Sequence, residues 1–156
     1  MLSRVAHSLY WMARYLERAE NIARTVDVNQ QLLLDLHDLD ERELAEYWLA
    51  IVQSTGDEAA FSKLHPRASG PAVTEFLVFQ NENPNSIVQS ICQARENARM
   101  VRDQLTLELW EELNRLYLFV RSPQARDIWA QPRRIFPGDQ VRLVAPGRHH
   151  QCHAGP

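Results

Sequence analysis

The chain has 156 residues, 45% of them apolar and 24% charged, with a formal net charge of −3. That is the composition of one globular domain with its own core, and it excludes a disordered chain. With 5 Gly and 8 Pro it also excludes collagen-like and turn-dense all-β folds.

The acidic balance speaks against a general nucleic-acid binder, which needs a basic face to release counterions. Cys92 and Cys152 cannot form a disulfide framework, so a reducing compartment is expected. Arg14, Glu17, Arg18 and Glu20 arrive too early for the apolar core of a signal peptide. No run approaches the ~18 apolar residues of a membrane span. These features predict a cytoplasmic protein with no membrane contact.

Ser3 is placed to cap a first helix over residues 4–34, with apolar residues at Val5, Leu9, Met12, Leu16, Ala19, Ala23 and Val26. Asp38 or Asp40 caps a second helix through Leu44, Tyr47, Trp48, Ile51 and Val52, ended by Gly56. Asp57 opens a short helix stopped by Pro66, and Gly70-Pro71 opens another running through Val73, Phe76, Leu77 and Phe79. After the loop Asn83-Pro84-Asn85-Ser86, a long helix is predicted from Ile87 through Ile91, Ala94, Ala98 and Val101 to Leu105. Another runs from Thr106 to Val120, and Ser122-Pro123 starts a last one through Ile128 and Trp129. The predicted class is all-α: long antiparallel helices with short connecting helices, then an irregular C-terminal tail. Residues 4–34 and about 86–104 are expected to be the two longest helical regions and to pack together.

From Pro132 the composition changes. The last 25 residues hold 4 of the 8 Pro, 3 of the 5 Gly and 3 of the 6 His. The first 131 keep 13 basic and 19 acidic side chains. This divides the chain into a helical domain, 1–131, and a tail, 132–156, expected to lack a fold of its own. Arg outnumbers Lys 16 to 1, the mark of GC-rich coding DNA, whose out-of-frame reading yields Arg, Pro, Gly and Ala. A frameshifted or truncated domain and a native disordered extension both fit. Truncation would leave apolar helix faces exposed around Leu109, Leu113, Leu116 and Phe119 and drive self-association.

Signatures of catalysis are absent. Two glycines in the first 131 residues leave no phosphate-cradling loop, and there is no CxxC pair, no HExxH and no Glu-x-x-His. Cys92 reads as a buried inert thiol. His149, His150, Cys152 and His153 are metal-ligand types without a second spaced pair, so no metal site is assigned. The aromatics Tyr10, Trp11 and Tyr15, and Leu32-Leu33-Leu34, read as packing.

The informative pattern is polar. Helical spacing puts Arg14, Glu17, Asn21 and Arg24 in one row beside the apolar stripe, with Glu20 four residues before Arg24. The theme returns as Ala94-Arg95-Glu96-Asn97-Ala98-Arg99. Such rows form either a solvated charged face or a buried polar layer between two helices that fixes register or receives a charged ligand.

The opening through Asp35 resembles the bacterial alpha-E family, an all-helical domain of unknown function named for a Glu-Arg motif, here Glu17-Arg18. So do Phe76-Leu77-Val78-Phe79 with Asn83-Pro84-Asn85-Ser86-Ile87, the stretch Ala94–Asp103, and Trp110-Glu111-Glu112-Leu113-Asn114. The likeness covers about residues 1–131. It implies an accessory helical protein, a partner of ATP-grasp ligases and transglutaminase-like proteins in systems that make or modify peptides through amide bonds. On that basis Glu17, Arg18, Asn21, Arg24, Glu96, Asn97 and Arg99 are the candidate binding residues, with no catalytic residue and no cofactor assigned. Two rival readings stand beside it: a small-substrate enzyme using the same polar residues, and a purely structural homo-oligomeric bundle.

Overall fold

The structure is a computed structural model that describes residues 2–35 and 39–130, so the tail beyond Gln131 lies outside the described residues. The described residues are helical, with no strand among them.

Helix α1 spans Leu2–Asp35, 34 residues or about 51 Å at 1.5 Å per residue, starting two residues earlier than Ser3 capping would allow. Helix α2, Glu41–Thr55, is fixed at both ends by its sequence. Asp40 accepts from the backbone N–H groups of Arg42 and Glu43 while Glu43 accepts from that of Asp40, a complete capping box. Gly56 ends α2 at φ +78°, a left-handed conformation that any side chain would strain. Helix α3 is Glu58–Leu64, and helix α4, Gly70–Thr74, has Ser69 as its N-cap.

The sequence predicts that α4 continues as regular helix through Phe79. Instead residues Glu75–Phe79 form a π turn, all five wider-spaced residues being apolar but the first, and Phe76, Leu77, Val78 and Phe79 are all buried. A widened turn lets consecutive apolar side chains face the core on more than one side.

Helix α5 is Ile87–Met100, capped by the Ser86 hydroxyl. Its predicted extension to Leu105 is not realised. Buried Val101 leaves helical geometry at φ −129° and ψ 29°, and a single 3₁₀ turn follows over Arg102–Gln104. With 14 residues α5 is no longer than α6, Leu107–Val120, and is one residue shorter than α2, so the expected ranking of lengths is corrected. Helix α7 is Pro123–Ala130.

The expected partnership of α1 with α5 is the dominant helix pair. The two run antiparallel: Met12, early in α1, clusters with Ala94 and Ala98, late in α5, while Ile22 and Val26 belong with Ile87 and Ile91. Small Ala side chains on α5 let the backbones approach under Met12. The main core adds Trp48, Val52, Phe61, Val73 and Phe76, with Phe61 and Phe76 edge-to-face at 5.1 Å.

Three packing expectations need correction. Leu113 is 3% exposed, because it completes the Met12–Ala94–Ala98 cluster, and Leu109 and Leu116 are half-buried against the same helices. Of the face expected to be bare only Phe119 is exposed, joined by Leu107 and Leu118, which the periodicity did not single out. Leu32 is exposed while Leu33 packs on the core, and Tyr10 is exposed while Trp11 and Tyr15 pack beside it. Cys92 is half-buried rather than buried, with its sulfur 3.8 Å from Arg121 Nη1.

Candidate functional site

The i, i+3, i+4 spacing of α1 brings Arg14, Glu17, Arg18, Asn21 and Thr25 to one side of the helix. There they wall an open cleft of about 450 Å³ whose other side is the end of α2 (Ser54, Thr55) and Asn85 from the loop before α5. Gly56 makes this possible, because its left-handed turn ends α2 at the cleft edge.

Each wall has a defined hydrogen-bonding character. Arg14 Nη1 donates to Glu17 Oε2 at 2.6 Å, a pair about half exposed on both sides. Arg18 forms no ion pair among the described residues. Its guanidinium lies 5.5 Å from the centroid of the Tyr15 ring, which supports the side chain while leaving its N–H donors uncommitted. The hydroxyls of Ser54, Thr55 and Thr25 donate to the carbonyls of Ile51, Val52 and Asn21, which leaves their oxygens able to accept. Asn85 is held by Asn83 Oδ1 on its backbone N–H and by Asp57 Oδ1 on its side-chain amide. The result is a cationic wall facing an uncharged polar one.

The remaining sequence candidates lie elsewhere. Arg24 is paired with Glu20 at 2.8 Å and does not line the cleft. Glu96 pairs with Arg99 at 2.9 Å, and the Asn97 amide donates to the Gln93 carbonyl, all within α5. Among the described residues no side-chain hydrogen bond or ion pair joins the α1 row to the α5 row. The two rows therefore do not form one buried polar layer: the seam between α1 and α5 is apolar, and apolar side chains there leave the charges to solvent. Of the polar side chains of the second motif, only Arg95 bonds to another helix among the described residues. Its Nε donates to Asn114 Oδ1 at 2.7 Å, and its guanidinium lies 4.7 Å from the Tyr117 ring centroid and 5.7 Å from that of Trp110.

Sequence reasoning missed Ser54, Thr55 and Asn85 as cleft residues. The first two had no signal beyond a helix end, and Asn85 was legible only as part of a loop and cap. Among the described residues no group of three or more His, Cys, Asp or Glu could hold a metal, and the His149–His153 tract lies outside them. No helix of the described residues is long and apolar enough to cross a membrane.

An antiparallel helical bundle whose longest helix presents an adjacent Glu and Arg to a polar cleft defines a class of small all-helical domains. The chain belongs to the Alpha-E family, described as a predicted alpha-helical domain with a conserved ER motif, which matches residues 1–142. The match runs past the boundary expected at residue 131. Uncharacterized proteins of Mycobacterium bovis and of two Mycobacterium tuberculosis strains are 32–33% identical over 117 residues, 69% of this chain. The chain spans only 13% of the length of these relatives. No solved structure matches.

Proposed function

We propose that this domain is an accessory, non-catalytic binding module that holds an anionic group of a partner or ligand in the Glu17–Arg18 cleft. The partner we assign is an ATP-grasp amide or peptide ligase, or a transglutaminase-like protein, acting in the cytoplasm. The observation that carries the reading is Arg18: a guanidinium over the Tyr15 ring, with no ion pair among the described residues, beside Asn21 in an open cleft. Arg presents a planar fork of donors suited to a carboxylate or phosphate. Glu17, already paired with Arg14, fixes that neighbouring guanidinium and offers its second oxygen to a cation.

Acid–base catalysis finds less support. It calls for a carboxylate in a closed site within reach of a reacting proton, and Glu17 is half exposed and ion-paired. A self-associating bundle draws support from the exposed Leu107, Leu118 and Phe119 on α6.

The test is co-purification of the chain with an ATP-grasp ligase from the same genome. Arg18→Ala should retain the helical circular dichroism and weaken association about tenfold or more, the value of a charge-assisted hydrogen bond. Unchanged association, or loss of the helical signal, would refute the binding role.

A further inference from the structure

A second concavity lies at the C-terminal end of α1, bounded by α2, by α4 with its π turn, and by α7. Its volume is about 430 Å³, within the range of small-molecule sites, and it shares no lining residue with the Glu17–Arg18 cleft. The walls are apolar and largely aromatic: Leu33, Trp48, Phe79 and Trp129. Gly70 lies close under the indole: a Cβ at that position would sit 3.0 Å from the Trp48 ring, which would have to give by a few tenths of an ångström.

Two polar features break the apolar lining. Gln30 is only 8% exposed. Its Nε2 donates to Thr74 Oγ1 at 3.0 Å, but its Oε1 is buried without a partner. Buried amides are normally satisfied at both ends. Exchanging the amide oxygen and nitrogen would not remove the deficit, since one end would still be unmet. The second feature is an ion pair. Arg126 Nη1 lies 2.7 Å from both Glu75 oxygens, and its guanidinium lies 4.6 Å from the Phe79 ring centroid. One guanidinium nitrogen carries the whole pair, so the rest of the fork keeps its donors.

We infer that this pocket binds a hydroxylated aromatic α-amino acid. Trp48, Trp129 and Phe79 offer aromatic surface to its ring. The unmet Gln30 oxygen has no accessible surface, so a ligand reaches it by a turn of the Gln30 side chain toward the cavity; a hydroxyl, which both donates and accepts, then satisfies the amide in either orientation. The ammonium and carboxylate meet Glu75 and Arg126, and a zwitterion leaves that pair without net charge. The proposal does not depend on the cleft reading.

The test is calorimetric titration of the full chain with L-tyrosine, L-phenylalanine, which lacks the hydroxyl, and tyramine, which lacks the carboxylate. L-Tyrosine should bind at one per chain, with phenylalanine and tyramine each about tenfold weaker or more. Gln30→Leu should erase the preference for tyrosine over phenylalanine, and Arg126→Gln the preference over tyramine. Arg126 is half exposed on a surface helix, so that variant keeps the test alive if Gln30→Leu does not fold. No saturable heat with L-tyrosine, equal binding of phenylalanine, or an Arg126→Gln profile identical to wild type would overturn the inference.

Discussion

The two concavities along α1 differ in how they treat polar groups. In the Glu17–Arg18 cleft the charges stand in water: Glu17 is paired with Arg14, and Arg18 lies over a ring at the surface. In the pocket at the far end of α1 the key group is neutral, deeply buried and unmet. Polar residues in the first are cheap to maintain and contribute little to folding. The unmet acceptor in the second opposes folding, and a fold retains such a group where something else depends on it.

One segment serves both sites. Residues 74–85 supply Thr74, Glu75 and Phe79 to the pocket and Asn85 to the cleft. Phe76, fully buried at its centre, is packed on Phe61. Phe76→Ala should cost about 3–5 kcal/mol by urea denaturation, the usual loss for a buried aromatic. A loss under about 1 kcal/mol would mean that the two regions are not joined through this core.

A smaller effect is expected one step away. Asn83 is fully buried, donates to the Phe76 carbonyl at 3.2 Å and accepts from the Asn85 backbone N–H at 2.9 Å. Asn83→Ala strands both backbone groups and should cost about 1–3 kcal/mol. It should also loosen Asn85, read as faster exchange of its amide hydrogen. An unaltered exchange rate would separate Asn83 from the cleft.

Much of this fold was legible in the sequence, and much of the pocket was not. Capping and stop residues such as Asp40, Gly56 and Ser86 act within one turn of the helix they bound, so they place helix ends without tertiary information. The α1 stripe worked for the same reason: periodicity is local. The cleft was half legible, because Arg14, Glu17, Arg18 and Asn21 share one helix while Ser54, Thr55 and Asn85 arrive only by packing. Nothing in the chain marks Gln30, the adjacent Thr74 and Glu75, and Arg126 as neighbours, since they come from three separate segments. The error at α5 was of another kind: Val101 continues the apolar stripe in sequence, but its buried side chain is reached by leaving the helix.

The pocket can be probed without ligand. Gln30→Leu combined with Thr74→Val removes both hydrogen-bonding partners and the unmet oxygen together. Replacing both partners by apolar groups of similar shape is commonly neutral or stabilising. The double variant should therefore fall within about 1 kcal/mol of wild type or above it. A larger loss would show that Gln30 is held for stability, and the contrast between the two sites would disappear.

The smallest effect belongs to the cleft. Arg14 and Glu17 are three residues apart on one helix, 2.6 Å apart at the charged atoms, and half exposed on both sides. At such positions water screens the attraction, and two long side chains lose rotamer freedom to hold one geometry. A double-mutant cycle with Arg14→Ala and Glu17→Ala should give a coupling of about 0.2–0.5 kcal/mol, shrinking in high salt. The pair then contributes almost nothing to the fold, and its orientation beside Arg18 is left as its role. A coupling well above 1 kcal/mol that persists in salt would place the pair in a far less solvated setting. The cleft would then be a structural ion network, and the binding role would fall to the pocket alone.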